Sequence, residues 1–171
     1  HIDLTGKRII VTGASRGIGQ AIAAQLLKSG AVVIGHYNET PVMIDGLNND
    51  EQNRLVPLKA NLEEPVEVVE LFKTAARDNK VDVIINNAGI AIESDPAGSI
   101  EEFTKGWQKT MAVNLQATAL LCSKAVEHFK TTEGGIIINI SSRAVFRGDT
   151  ETYLAYAASK GGVNAMMLPL A

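Results

Sequence analysis

Arg8-Ile9-Ile10-Val11-Thr12-Gly13-Ala14-Ser15-Arg16-Gly17-Ile18-Gly19 decides the fold of this chain. A short apolar run, Arg8 to Val11, leads straight into a turn with glycines at 13, 17 and 19. A helical stretch, Ile18 to Ser29, follows, and Gly30 stands where a left-handed residue closes a helix. Between a strand and a helix, absent side chains let a backbone approach a pyrophosphate, whose charge lies against the helix N-terminus. A plain tight turn is the competing reading, and the placement argues against it.

Four more apolar segments read as buried strands: Ala31 to His36, Leu55 to Lys59, Val81 to Asn86 and Gly135 to Ile140. Apolar residues at consecutive positions mark strands covered on both faces, as in a parallel sheet. Helical stretches alternate with them: Pro65 to Asp78, a long one from Ile100 to Lys130, and a last one from Glu151 or Thr152 to about Met167. Segment 38–53 reads as a short helix plus loop. Alternation with right-handed crossovers predicts a doubly wound α/β fold with a parallel sheet in the order 3-2-1-4-5. The 171 residues read as one domain, 1–171.

Composition narrows the function classes. Hydrophobic residues make up 46%, charged residues 20%, and the net charge is -3, which argues against a nucleic-acid or anionic-membrane surface. No apolar run reaches the roughly 18 residues of a membrane span, and the N-terminus carries no secretory pattern. Cys122 is the single cysteine, so no internal disulfide forms, and no Cys/His cluster suggests a metal. A reducing cytoplasm is the expected location.

The chemistry concentrates in Tyr156-Ala157-Ala158-Ser159-Lys160. Residues four apart share one helix face, so a phenol and an ammonium sit side by side. An ammonium near a phenol favours its ionised form and fits it for general acid and base work. Tyr153 is the near competitor, but Ala157 rather than a lysine stands four residues after it.

Taken together, Thr12-Gly13-x-x-x-Gly17-x-Gly19 and Tyr156-x-x-x-Lys160 make the chain resemble a classical short-chain dehydrogenase/reductase, with a Rossmann-type fold. Further landmarks agree: Asn86-Asn87-Ala88-Gly89 after the fourth strand, Asn114 in the long helix, Ser141-Ser142 after the fifth strand, and Asn61-Leu62 after the third. The resemblance implies an oxidoreductase that moves hydride between a nicotinamide cofactor and a carbonyl or alcohol. In that reading Tyr156 is the acid or base, and Lys160 tunes it and holds the nicotinamide ribose. Ser142 binds the substrate oxygen, and Asn114 holds a water beside Lys160. Ser142 is chosen over Ser141 as the later of the pair, although it lies 14 residues before Tyr156, one more than the family's usual spacing.

The cofactor would be held by Gly13, Ser15, Arg16, Gly17, Ile18 and Gly19, then Tyr37, Asn61, Leu62, Asn87, Ala88 and Gly89, with Tyr156 and Lys160. At the end of the second strand the family's acidic NAD-reading position holds Tyr37, and Arg16 sits where relatives that prefer NADP often place a basic residue. Both favour NADP. Glu39, twenty residues past Gly19, keeps NAD as the alternative. The resemblance also implies a homodimer or homotetramer through the long helices. Members typically run to roughly 250 residues, with sixth and seventh strands and a substrate lid, so the sequence reads as truncated at its C-terminus. A catalytically incomplete dinucleotide-binding or interaction module is therefore the second reading.

Overall fold

The computed structural model describes residues 2–170; His1 and Ala171, the ends of the expected domain, lie outside the described residues. Five strands form one parallel sheet: β1 (Arg8–Val11), β2 (Val32–Tyr37), β3 (Leu55–Lys59), β4 (Val83–Asn86) and β5 (Ile136–Asn139). Their order is β3-β2-β1-β4-β5, as the sequence predicts. In register, Ile10 on β1 faces Ile34 on β2 and Ile84 on β4.

Among the described residues, seven α-helices connect and cover the strands: α1 (Gly17–Lys28), α2 (Asn49–Asn53), α3 (Pro65–Ala76), α4 (Ile100–Met111), α5 (Ala117–Thr131), α6 (Ala144–Arg147) and α7 (Leu154–Met167). Side-chain alternation sorts the core into two layers. Ile10, Ile34 and Ile84 pack with Leu71 and Phe72 of α3 and Leu121 of α5. Ile9, Val11, Val33 and Ile85 pack with Ala23 and Leu27 of α1. Complete burial of such a side chain contributes about 1.5–3 kcal/mol. Gly30, at φ +94°, closes α1 as expected: its N–H reaches the Leu27 carbonyl, and Ala31 N–H reaches Leu26.

Four local expectations need correction. The long helix 100–130 is not continuous: a π-helical turn, Ala112–Gln116, separates α4 from α5. Its centre is Asn114, whose side chain bonds both backbone groups of Ile90 and is drawn out of a plain helical course. The stretch 143–152, where the sequence suggests no element before Glu151, contains α6, preceded by the Ser142 hydroxyl accepting from Ala144 N–H and ended by Gly148 at φ +72°. The fourth strand begins at Val83 rather than Val81, because Val81 N–H donates to His128 Nε2 instead of to a strand.

The fifth strand is not covered on both faces. Ile137 packs toward α5, whereas Ile136 and Ile138 are 58% and 42% exposed on the α1 side. Right-handed crossovers explain the asymmetry: steps from β1 to β3 put α1 and α2 on one side, and steps from β3 onward put α3, α4 and α5 on the other. Among the described residues, no helix covers the α1 side of β5.

Candidate active site

The glycine turn is built by backbone demands that its residues meet. Gly13 and Gly17 hold φ +66° and +57°, a left-handed conformation that side-chain-bearing residues rarely adopt. Gly19 is needed for space: a methyl group there would collide with the Gly13 carbonyl oxygen and the Asn87 side-chain amide. Thr12 Oγ1 accepts from the N–H groups of Asn87 and Ala88, both at 3.0 Å, and Asn87 Nδ2 donates to the Thr12 carbonyl at 2.9 Å. The turn after β1 and the turn after β4 are thus one hydrogen-bonded unit. We expect Gly19→Ala to cost about 1–3 kcal/mol of stability, since backbone must move to admit the methyl. Urea denaturation beside wild type checks this; an unchanged midpoint would show that the turn has slack.

At the start of α1 the first-turn N–H groups lack a side-chain cap, and no acidic residue lies in that turn. By contrast, α2 and α4 are capped by Asn48 and Ser99. Uncapped donors and the helix dipole favour an anion there. Arg16, the residue before α1, is exposed.

A cleft of about 650 Å³ opens over this turn. It is lined by Gly13, Ser15, Arg16, Gly17, Ile18, Tyr37, Asn61, Leu62, Asn87, Ala88 and Gly89, the sequence-predicted cofactor residues apart from Gly19, Tyr156 and Lys160. Gly19 is buried beneath it. Glu39 and Ile90 line it as well. At its rim Lys109 Nζ meets Glu63 Oε1 at 2.8 Å, and the hydrogen bond and charge of Glu63 raise the Lys109 pKa above the ordinary lysine value. Asn61 Oδ1 accepts from Glu63 N–H, so part of its side chain shapes the loop. These features fit a dinucleotide: open space over Gly17, free helix N–H groups for phosphates, and an apolar wall at Leu62 and Val113.

At the far end of the cleft, Lys160 is 5% exposed, and burial pulls its pKa below the ordinary lysine value. A Cβ built on Gly89 would lie 3.5 Å from both Lys160 Nζ and Asn114 Oδ1, so these two residues underlie the Asn-Asn-Ala-Gly turn. Both side chains have protein partners here. Lys160 Nζ donates to the Ile140 carbonyl at 2.8 Å, at the exit of β5. The Asn114 side chain is occupied by protein: Oδ1 accepts from Ile90 N–H, and Nδ2 donates to the Ile90 carbonyl, each at 2.8 Å, and to Ser159 Oγ at 3.0 Å. Its amide ties α4 and α5 to the cleft wall.

Ser159 and Thr12 are the residues that sequence reading passed over. Ser159 Oγ donates to the Tyr156 carbonyl at 2.7 Å while accepting from Asn114, so it connects the tyrosine's backbone to the cleft wall. Its position just before Lys160 was the available signal. The two serines after β5 differ in their partners. Ser141 Oγ donates to Asn164 Oδ1 at 2.7 Å, whereas Ser142 Oγ accepts from Ala144 N–H at 3.2 Å. Tyr156 is half-buried on α7. Tyr153 has its pKa raised by burial and by Glu93 beside it, which suits a base poorly.

Comparison with known proteins settles the ancestry of this arrangement. The model of the short chain dehydrogenase family matches residues 7–171. The chain belongs to that family. A short-chain type dehydrogenase/reductase of Picea abies is 34% identical over 98% of this chain, and an NADPH-dependent aldehyde reductase of Arabidopsis thaliana chloroplasts is 32% identical over 98%. The chain spans 65% and 66% of the length of these two relatives. Among solved structures, a Sinorhizobium meliloti protein assigned to the short-chain alcohol dehydrogenases superimposes with a TM-score of 0.84 at 28% identity, covering 99% of this chain and 67% of its own. Among the described residues, no cluster suits a metal ion, and no helix is long and apolar enough to cross a membrane.

Proposed function

We propose that the chain carries the cofactor site and the reactive tyrosine of an NADP(H)-dependent oxidoreductase acting on a carbonyl or alcohol. The observation that carries this reading is one continuous cleft. It begins at the uncapped N-terminus of α1 and ends above the buried pair Lys160 and Asn114, next to the helix of Tyr156. When bound, the dinucleotide supplies or accepts the hydride. The protein's own residues do the rest. Gly17, Ile18 and the start of α1 hold the phosphates, and Leu62 walls the adenine. Lys160 stands by the nicotinamide ribose, Tyr156 gives or takes the proton at the substrate oxygen, and Ser142 hydrogen-bonds that oxygen. The name of the Arabidopsis relative supports the reductive direction with NADPH.

Arg16 supports NADP over NAD, because its exposed guanidinium shares the cleft with Tyr37, where an acid would repel a 2′-phosphate. Glu39 shares that cleft and marks NAD as the alternative. The same reading takes residues 1–171 as one dinucleotide-binding domain, active in the cytoplasm and paired with copies of itself through α4, α5 and α7. Nucleic acid and membrane are not its partners.

Titration with NADPH and NADH, followed by a carbonyl screen in the full chain, tests the proposal. Arg16→Ala is expected to weaken NADPH by about 1.5–3 kcal/mol through loss of a charge-assisted hydrogen bond, and NADH by much less. Equal losses would show that Arg16 does not read the phosphate, and failure of wild type to bind either dinucleotide would remove the proposal.

A further inference from the structure

His36 lies on β2, 3% exposed, between two segments that the proposed cofactor would touch at once. Its Nδ1 accepts from Gly13 N–H at 3.1 Å, at the first glycine of the phosphate turn. Its Nε2 lies 3.0 Å from the Ala60 carbonyl, immediately before Asn61 and Leu62. The partners fix the protonation pattern. An amide N–H can only donate, so Nδ1 must accept; a carbonyl can only accept, so Nε2 must carry the proton. The ring cannot swing away easily, because the His36 carbonyl also accepts from Ala14 N–H at 2.9 Å and the strand is paired to β3.

We propose that His36 is a positioning residue for the dinucleotide, a neutral ring that sets the spacing between the phosphate turn and the adenine-side wall of the cleft. This inference rests on the function proposed above and adds a residue that the cofactor motifs do not include. An apolar side chain in the same place would fill space but leave Gly13 N–H without a partner and untie Ala60. A protonated ring would set Nδ1–H against Gly13 N–H, donor against donor, and the turn would have to move.

The neutral form is also the one the surroundings favour. Burial lowers the His36 pKa below its ordinary value. The titratable groups that line the same cleft as His36 are Arg16, Tyr37, Glu39, Glu63 and Lys109. None of them hydrogen-bonds the ring; its partners are backbone. The sign follows from a depressed folded-state value. The unfolded imidazole takes its proton near pH 6.5, before the folded one does. The contribution of His36 to stability is therefore complete above that pH and is lost as pH falls toward the folded value.

Three variants separate the two bonds. His36→Asn keeps an acceptor near the position of Nδ1 and cannot titrate. His36→Gln keeps a donor toward Ala60 and loses the acceptor. His36→Leu loses both. NADPH affinity is measured by fluorescence from pH 8 to 5.5, with thermal melts at each pH and KM and kcat for NADPH where turnover is found. The 2′-phosphate itself titrates near pH 6, so wild type is compared with His36→Asn at the same pH. His36→Leu should bind NADPH roughly tenfold or more weakly at pH 7.5, the cost of an unpaired buried donor, with KM raised and kcat at saturating cofactor kept. His36→Asn should restore most of that affinity and should lose less than wild type on acidification. Should His36→Leu fail to fold, Asn against Gln carries the same comparison, with Asn expected to bind more tightly. Superimposable pH profiles for wild type and His36→Asn, or a Gln variant binding as well as Asn, would overturn the inference while leaving the cofactor site intact. A wild type that binds no dinucleotide would overturn the proposed function and this inference with it.

Discussion

Replacing Tyr156 with phenylalanine is expected to lower turnover about 10²–10⁴-fold, the usual worth of a positioned general acid or base, with cofactor affinity and stability nearly unchanged. The structure separates the phenol from everything else that residue 156 does. What holds Ser159, and through it Asn114, is the Tyr156 backbone carbonyl, which phenylalanine keeps. Lys160 is anchored independently on the Ile140 carbonyl and needs no hydroxyl to stay in place. The ring is half-buried, so phenylalanine retains its packing. Loss of an interaction made only in the transition state lowers kcat and kcat/KM together and spares cofactor binding. Steady-state kinetics with NADPH titrations and a thermal melt check all three. Turnover at the wild-type level, with chemistry rate-limiting, would exclude Tyr156 as the proton donor.

What could be read from the sequence, and what could not, divides along local and long-range causes. Strand order was legible because Val and Ile runs alternate with helical stretches, and handedness leaves few arrangements. The Gly30 closure was legible because a single residue type carries it. The glycine turn was legible as a strand-to-helix turn that needs absent side chains, and the structure adds why Gly19 admits none. The π-helical turn was invisible, because apolar spacing runs on through Leu115, Thr118 and Leu121. Its cause is a contact between Asn114 and Ile90, 24 residues apart in sequence. Spacing on a helix correctly placed Tyr156 and Lys160 on one face. It could not say where a long lysine ends, and the Ile140 carbonyl decides that. Ile136 and Ile138 read as doubly covered because consecutive apolar residues look the same whether one face or both meet a helix. Which two segments His36 joins depends on how β2 and β3 align, so no local pattern shows it.

Asn114→Ala is expected to cost about 2–5 kcal/mol, since each buried polar group left without a partner costs about 1–3 kcal/mol. Asn114 is 1% exposed, and its amide serves three groups: the N–H and carbonyl of Ile90 and the hydroxyl of Ser159. Alanine leaves all three short of a partner and opens a cavity in the layer formed by Val113, Ala117 and Leu121. The damage should be local first. Ile90 N–H has no other acceptor supplied by secondary structure, so its hydrogen exchange should accelerate more than that of neighbouring strand amides. Loosening should then spread to the cleft, because Gly89, Ile90 and Val113 all line it. NADPH affinity should fall together with stability, in contrast to Tyr156→Phe, where neither moves. Urea denaturation and hydrogen exchange on the variant decide the matter. An unshifted urea midpoint with Ile90 still protected would mean that the tie between the π-helical turn and the cleft wall is not made by this amide.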